Sequence, residues 1–190
     1  DADKTKLKAM NKEESSLSTA FTNKLLAATK DAAPVIGDKS KLAGLSDAEI
    51  AAASRAATDR KQDGKYVLPL QNTTQQPELQ DLADRATRQQ LFEASWNRAE
   101  QNDANDTRKT IERLAQLRAQ EAALLGYPNY AAWKLEDQMA KTPEAALDLM
   151  RRLAPAATAR ARQEAADIQA AIDAEHGGFQ LAPWDWTHYA

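Results

Sequence analysis

Two histidines are the side chains in this sequence best suited to metal or acid–base chemistry. His176 and His188 stand on either side of Gly177-Gly178. A catalytic zinc site needs three protein ligands in tetrahedral geometry. Since the two histidines share no helix turn and belong to no H-E-x-x-H pattern, we expect them at the surface near a helix end. We therefore predict no metal ligand in this chain.

Nucleophilic side chains indicate no catalytic site either. The sequence contains no cysteine, which excludes a zinc–thiolate site, a disulfide framework and a cysteine nucleophile, and is typical of a reducing compartment. Ser15, Ser16 and Ser18 fall in a predicted helix, and the sequence has neither a G-x-S-x-G elbow nor a glycine-rich phosphate loop.

Charged side chains close together in sequence do not indicate a catalytic site either. Glu13 lies beside Glu14, and Asp84 lies near Arg85 and Arg88. Catalysis by paired carboxylates requires burial, which the polar context of these residues does not indicate. The sequence thus predicts no catalytic residue, and it leaves the substrate-binding residues unknown.

A basic stretch and an uncharged polar run are the remaining candidates for binding. Arg151-Arg152, with Arg160 and Arg162, could hold a peptide carboxylate or an acidic partner. Acidic residues follow directly, so a solvated helix face is the preferred interpretation. The run of residues 71–76 could line a cleft, but a solvated loop is the commoner fate of such a segment.

The elements that would position these side chains are predicted to be helices. The chain has 190 residues, 6 glycines and 6% aromatic residues, with a formal net charge of −3. This is a helical composition, and its mixed charges indicate neither a nucleic-acid partner nor another polyanion. No apolar run of about 18 residues occurs, so we predict no membrane-spanning helix.

The stretch 103–153 contains three helical segments separated by two stops. Asp103 suits a helix N-cap, Gly126-Tyr127-Pro128 forms a corner, and Thr142-Pro143-Glu144 starts the third segment. In the first segment an apolar stripe predicts the buried face: Ile111, Leu114, Leu117, Leu124 and Leu125. The charged residues around it predict the wet face: Arg108, Lys109, Glu112, Arg113, Arg118 and Glu121.

The rest of the chain reads as further helices around this stretch. The predicted helices are 8–30 after a frayed start, 46–61 after a capping box, one from Pro77 with a break near 84–86, and one over 145–175 that Pro155 kinks or splits. Short edge strands are predicted around 34–36 and 65–70. The expected fold is all-α, a multi-helix array of antiparallel helices in a single unit over 1–190.

Both ends of the sequence indicate a piece of a longer protein. The first residue is Asp1, and three aromatic residues, Trp184, Trp186 and Tyr189, lie close to the last. We expect these rings to be exposed in the isolated chain and to be covered by other parts of the larger protein.

Four segments carry a resemblance to a known family. They are YVLPLQNTTQQP, RATRQQLFEASWNRAE, NDTRKTIERLAQLRAQEAALLGYPNYAAWKLEDQMAKTPEAAL and PWDWTHYA. Their order resembles the thimet oligopeptidase family of zinc metallopeptidases, and its bacterial peptidyl-dipeptidases in particular. The resemblance covers nearly the whole chain.

This resemblance implies a mostly helical, two-lobed, cytoplasmic enzyme with a deep channel. Family members hold zinc through two histidines of an H-E-x-x-H helix and a downstream glutamate, and the glutamate of the motif activates the attacking water. No position here matches that motif, so no catalytic or metal-binding residue is carried over. The implied partners are short peptides, which lose C-terminal dipeptides, and the remainder of the parent polypeptide.

The sequence thus predicts an internal fragment of a zinc-dependent peptidyl-dipeptidase, contributing scaffold and channel wall and inactive by itself. The alternative is a non-catalytic helical module of the same ancestry that binds protein partners. An H-E-x-x-H motif farther along the parent gene would favour the enzyme, whereas a stop codon after Ala190 would favour the module.

Overall fold

The computed structural model describes residues 2–71, 73 and 76–190, and helices dominate these ranges. The two strands there are β1 (Val35–Ile36) and β2 (Tyr66–Val67). The eight α-helices of the same ranges are α1 (Ala2–Asp31), α2 (Asp47–Thr58), α3 (Glu78–Asp81), α4 (Arg85–Trp96), α5 (Arg108–Leu124), α6 (Tyr130–Leu135), α7 (Pro143–Ala174) and α8 (Trp186–Tyr189). The all-α prediction is confirmed. None of the described helices is long and apolar enough to cross a membrane.

Contacts between Cα atoms divide the chain into two compact units. The first unit combines the described residues up to Lys24 with Asp106–Ala161. The second unit combines Leu25–Asn105 with Arg162–Ala190. Each unit is therefore assembled from two separate stretches of sequence.

The second unit contains the strand pair and the main apolar core. β1 and β2 are antiparallel, with Val35 opposite Val67 and Ile36 opposite Tyr66. The predicted strands are confirmed, although the second is shorter than the sequence suggests, because Pro69 lacks the N–H that a longer ladder needs. The buried core beside them consists of Ile36, Leu42, Leu45, Ala53, Leu68, Leu70, Leu79, Leu82 and Leu91.

Local signals in the second unit act as the sequence predicts. The Ser46 hydroxyl accepts from the Glu49 amide, and the Glu49 carboxylate accepts from the Ser46 amide, so the capping box begins α2. The break predicted near residue 84 separates α3 from α4, where Asp84 caps the new helix by accepting from the Thr87 amide at 3.0 Å.

Gly44, with φ +97°, lies against the Asp81 carbonyl. A Cβ at this position would come within 1.8 Å of that oxygen.

The first unit consists of α5, α6 and parts of α1 and α7. Gly126, with φ +83°, ends α5 as predicted, and the Asn129 side chain then caps α6 by accepting from the Ala132 amide at 2.8 Å. Thr142 begins α7, as predicted, by accepting from the Ala145 amide at 3.2 Å.

Several predicted boundaries in the helices were wrong. α1 begins at Ala2 rather than at residue 8. Its charged first turns are helical although they are exposed. α5 begins at Arg108 rather than after Asp103. Pro155 does not split α7, which is continuous; a kink there stays a prediction. Met139 lies beyond the end of α6 and is fully exposed.

Candidate functional site

The two histidines occupy unrelated positions within the second unit. His176 is exposed just beyond α7, and its φ is +56°. His188 in α8 donates from Nδ1 to the Gln80 carbonyl, since a carbonyl oxygen can only accept, and the distance is 2.8 Å. In the described part of the chain no group of three or more His, Cys, Asp or Glu side chains could hold a metal ion. That this chain supplies no metal ligand stays a prediction.

The basic stretch of α7 lies on the surface. Arg151 pairs with Asp148 at 3.2 Å, and both side chains are about two-thirds exposed. Arg152 donates from Nε to the Asp148 carbonyl. These exposed contacts are of the kind that contributes little to stability, which agrees with a solvated helix face.

The strongest polar arrangement of the second unit surrounds Asp185, which is fully buried. Arg85 donates to its carboxylate from Nε at 3.0 Å and from Nη2 at 2.8 Å, and Arg88 donates from Nη2 at 3.2 Å. The Ala182 amide donates to Oδ2 at 3.1 Å. We call Arg85, Arg88 and Asp185 the Asp185 cluster. It joins the start of α4 to the segment before α8.

The two arginines of the Asp185 cluster have different surroundings. Arg88 is 2% exposed and donates from Nη1 to the carbonyls of Leu82 and Ala83 at 2.7 and 3.1 Å, so it also closes the α3–α4 junction. Arg85 is one-third exposed, and its guanidinium lies 4.2 Å from the Phe179 ring centre.

Burial of Arg88 corrects the prediction that it has ordinary surface spacing near Asp84. Its partner lies 97 positions away, so no local pattern could reveal the pair. The only sequence signal is the acid placed between Trp184 and Trp186, since a carboxylate flanked by large rings tends to be buried and then requires a cation.

The closing aromatic residues are partly buried, rather than exposed as predicted, and Trp184 lies against α4. Trp184 meets Phe92 edge-on, with ring centres 6.3 Å apart, and Phe92 stacks on Trp96 at 5.6 Å. Beside them lies an open cavity of about 590 Å³ with mostly apolar walls. It is called the apolar cavity below. Its lining residues are Phe92, Trp96, Leu181, Ala182, Pro183 and Trp186.

The described residues of the uncharged polar run, Gln71, Thr73 and Gln76, are linked through the side chain of Gln76. Gln76 is buried, its Oε1 accepts from the Gln71 amide at 2.7 Å, and its Nε2 donates to the Thr73 carbonyl and to Ser95 Oγ. Arg98 donates to the carbonyls of Gln71 and Thr73 from the other side. The expectation of a solvated loop is therefore wrong for Gln76, whereas positions 72, 74 and 75 lie outside the described residues.

The first unit holds α5 against α1 through ion pairs. Arg113 Nε donates to Glu13 at 2.6 Å, and Arg118 Nε donates to Glu14 at 2.8 Å. The hydrogen bond to Arg113 holds the pKa of Glu13 below its usual value. Glu13 and Glu14 thus serve as separate partners for two arginines rather than as a carboxylate pair.

Glu121 lies on the same helix and was wrongly placed on its wet face. It is 1% exposed, and its Oε1 accepts no hydrogen bond from the described residues. Burial raises the pKa of the Glu121 carboxyl, Glu14 adds to the increase, and Lys134 and Arg118 oppose it. A carboxyl whose pKa rises on folding favours the folded state at low pH, and this contribution is lost as pH rises through the folded-state value.

The apolar stripe predicted for α5 is buried only in part. Leu117 is fully buried, but Ile111 and Leu125 are exposed. Leu117 and Glu121 share one face because residues four apart on a helix are neighbours. The buried face is therefore rotated towards Glu121 relative to the prediction.

Comparisons with known proteins match more than half of the chain to a family and nearly all of it to several relatives. The profile of peptidase family M3 matches residues 78–190. The dipeptidyl carboxypeptidase of Escherichia coli K12 is 57% identical over 189 residues, covering 100% of this chain and 28% of the relative. The dipeptidyl carboxypeptidase of Salmonella typhimurium is 50% identical over 188 residues, covering 99% and 28%. Oligopeptidase A of Salmonella typhimurium is 32% identical over 180 residues, covering 93% and 26%.

The chain spans just over a quarter of the length of these curated relatives. The family match covers more than half of the chain, and it includes the whole of α4 and the Asp185 cluster. Together with the identities above, this match shows that the chain belongs to peptidase family M3.

Proposed function

We propose that this chain is part of a zinc-dependent peptidyl-dipeptidase, an enzyme that releases dipeptides from the C-terminus of short peptides. The observation that carries the proposal is the 57% identity, over 100% of the chain, with a dipeptidyl carboxypeptidase. Identity at this level over the full length of the chain favours the same substrate class. The implied partners are short peptides and the rest of the polypeptide, and the implied location is the cytoplasm.

The proposed role of this chain within the enzyme is scaffold and channel wall. The described residues do not fit a zinc site, since none of their carboxylates and imidazoles form a group that could hold a metal. Zinc in this family supplies Lewis-acid polarisation of the peptide carbonyl. We assign its ligands, and the general base, to positions outside this chain.

What the chain supplies is rigid support for a binding surface. The Asp185 cluster fixes the segment from Leu181 to Trp186 against α4 through charged hydrogen bonds. This fixes the rings that line the apolar cavity. A wall held in this way restricts which substrate conformations can enter a channel, in keeping with a preference for short, unfolded peptides.

The test compares the 190-residue chain with the full-length protein from the same gene. An N-terminally blocked tripeptide with a free carboxylate should lose its C-terminal dipeptide to the full-length protein. It should remain intact with this chain and one equivalent of zinc. The same peptide with an amidated C-terminus is the control, because a peptidyl-dipeptidase requires the free carboxylate.

Each of the opposite results has a clear meaning. Hydrolysis by this chain alone, with zinc bound at one equivalent, would show that the catalytic groups lie inside it. A full-length protein without peptidase activity and without an H-E-x-x-H motif would contradict the proposed function and favour the interaction module.

A further inference from the structure

Glu121 lies where three helices of the first unit meet. It belongs to α5, and it interacts with Glu14 of α1 and with Lys134 of α6. The side chain of Glu121 is 1% exposed, and within the described part of the chain its Oε1 accepts no hydrogen bond. A buried carboxyl that lacks a donor is favoured in its neutral form. The interior of this unit therefore contains an acid whose charge has no dedicated partner.

Arg118 is a cation placed to serve two carboxyls. It lies three residues before Glu121 on α5, and residues three apart on a helix are neighbours. Its Nε donates to Glu14 Oε1 at 2.8 Å, and this bond joins α5 to α1. Its guanidinium carbon lies 5.2 Å from the centre of the Tyr130 ring of α6. Because a guanidinium has five N–H donors in a fixed fork, Arg118 can turn to a second carboxylate without leaving this junction.

The groups that face Glu121 compete with one another. The charged and titratable ones are Glu14 on α1, Arg118 on α5, and Tyr130 and Lys134 on α6. Burial raises the pKa of Glu121, Glu14 raises it further, and Lys134 and Arg118 lower it. The Lys134 ammonium lies 3.9 Å from the centre of the Trp133 ring and is engaged there by a cation–π contact. An ionised Glu121 and Glu14 would therefore share one guanidinium.

A second ion pair between the same two helices provides an internal reference. Arg113 donates from Nε to Glu13 Oε1 at 2.6 Å, just as Arg118 donates from Nε to Glu14. Arg113 lies eight residues before Glu121, which is about 12 Å along the helix. The charge on Glu121 therefore acts on the Arg118 pair and leaves the Arg113 pair unaffected.

We propose that Arg118 changes partner when Glu121 ionises. While Glu121 is a neutral acid, Arg118 binds Glu14 and ties α1 to α5. Once Glu121 has lost its proton, Arg118 turns to Glu121 and the bond to Glu14 is lost, whereas the bond between Glu13 and Arg113 remains.

The direction of this pH-sensitive device follows from the surroundings of Glu121. Its pKa is raised on folding, so the neutral form, and with it the bond between Arg118 and Glu14, is present at low pH. Both are lost as pH rises through a value above the ordinary range of glutamate. The inference goes beyond the proposed function and does not depend on it, because all the groups involved lie in the first unit.

The experiment compares hydrogen exchange at the two arginine side chains. NMR of the ¹⁵N-labelled chain measures the exchange with water of the Nε–H groups of Arg118 and Arg113 between about pH 4 and pH 8, the range into which a raised glutamate pKa falls. The ratio of the two rates cancels the general acceleration of exchange with pH. Carboxyl ¹³C shifts follow the ionisation of Glu121 itself, whose signal is assigned by its absence from Glu121→Gln.

We expect the ratio of Arg118 to Arg113 exchange to rise about two- to fivefold as Glu121 ionises, the range that a partly exposed ion pair provides. In Glu121→Gln the ratio should keep its low-pH value throughout, because an amide cannot ionise. Glu112→Gln is the matched control. Glu112 is exposed on the same helix, so this variant should keep the pH dependence of the unaltered chain.

Three results would overturn the proposal. A constant ratio while the Glu121 carboxyl ionises would show that Arg118 keeps Glu14 and that Lys134 takes the new charge. A rise that persists in Glu121→Gln would assign the effect to another group. Ionisation of Glu121 within or below the ordinary range of glutamate would show that the junction does not hold a neutral acid.

Discussion

Replacing Asp185 with asparagine should destabilise the second unit by about 3 to 5 kcal/mol. The carboxylate is fully buried and accepts from Arg85, Arg88 and the Ala182 amide. Asparagine keeps one oxygen and no charge, so Arg88, which is 2% exposed, would remain as a buried cation without a counter-charge. Arginine cannot escape by losing its proton, and the cost therefore appears in the free energy of unfolding.

Asp148→Asn is the matched control, because Asp148 also pairs with an arginine but is exposed together with Arg151. Exposed pairs contribute about 0 to 1 kcal/mol. Urea unfolding followed by tryptophan emission measures both variants. Trp133 reports on the first unit, which contains Asp148, and the other tryptophans report on the second unit, which contains Asp185.

For a chain of this size, 3 to 5 kcal/mol corresponds to a fall in Tm of about 6 to 20 °C. A loss at Asp185 no larger than the loss at Asp148 would refute the reasoning. It would mean that Arg88 reaches water once its partner is removed, and that burial of the guanidinium does not depend on the ion pair.

Two other substitutions test features of the fold. Glu121→Gln should raise the stability of the first unit by about 1 kcal/mol at pH 7 and have little effect near pH 4, because the buried carboxyl is then protonated anyway. Glu112→Gln, exposed on the same helix, should leave the stability unchanged at both pH values. The same change in stability at both pH values for Glu121→Gln would contradict the prediction. Gly44→Ala should cost about 2 to 5 kcal/mol, because the new Cβ meets the Asp81 carbonyl at a positive φ. Gly64→Ala, with φ +79° and open space around it, should cost only the backbone strain; thermal unfolding that gives the two alanines the same Tm would show that the Asp81 contact is relieved.

Local signals predict much of this fold. The capping box at Ser46, the stop at Gly126 and the start at Thr142 act within a few residues, so their effect can be read from the sequence. The strand pair is likewise confirmed in position, because β-branched and aromatic residues next to a turn favour it.

Long-range partners explain most of what the sequence does not reveal. Charged residues are usually exposed, so Arg88 and Glu121 were assigned to the surface. Their actual burial depends on packing against other elements, and Asp185 and Glu14 lie about a hundred residues away from them. The boundary of α5 was missed because several capping residues occur between Asp103 and Thr107, and only tertiary contacts decide among them.

The pairing of Arg88 with Asp185 also bears on the order of events during synthesis. The ribosome releases the arginine 97 residues before its carboxylate partner, and residues 106–161, which belong to the other unit, emerge between them. Contacts this distant in sequence form late, since a long loop has to close first. A nascent chain that stalls before Asp185 would therefore hold α4 with its guanidinium still hydrated, and this stage is the one at which we expect chaperones to find the chain.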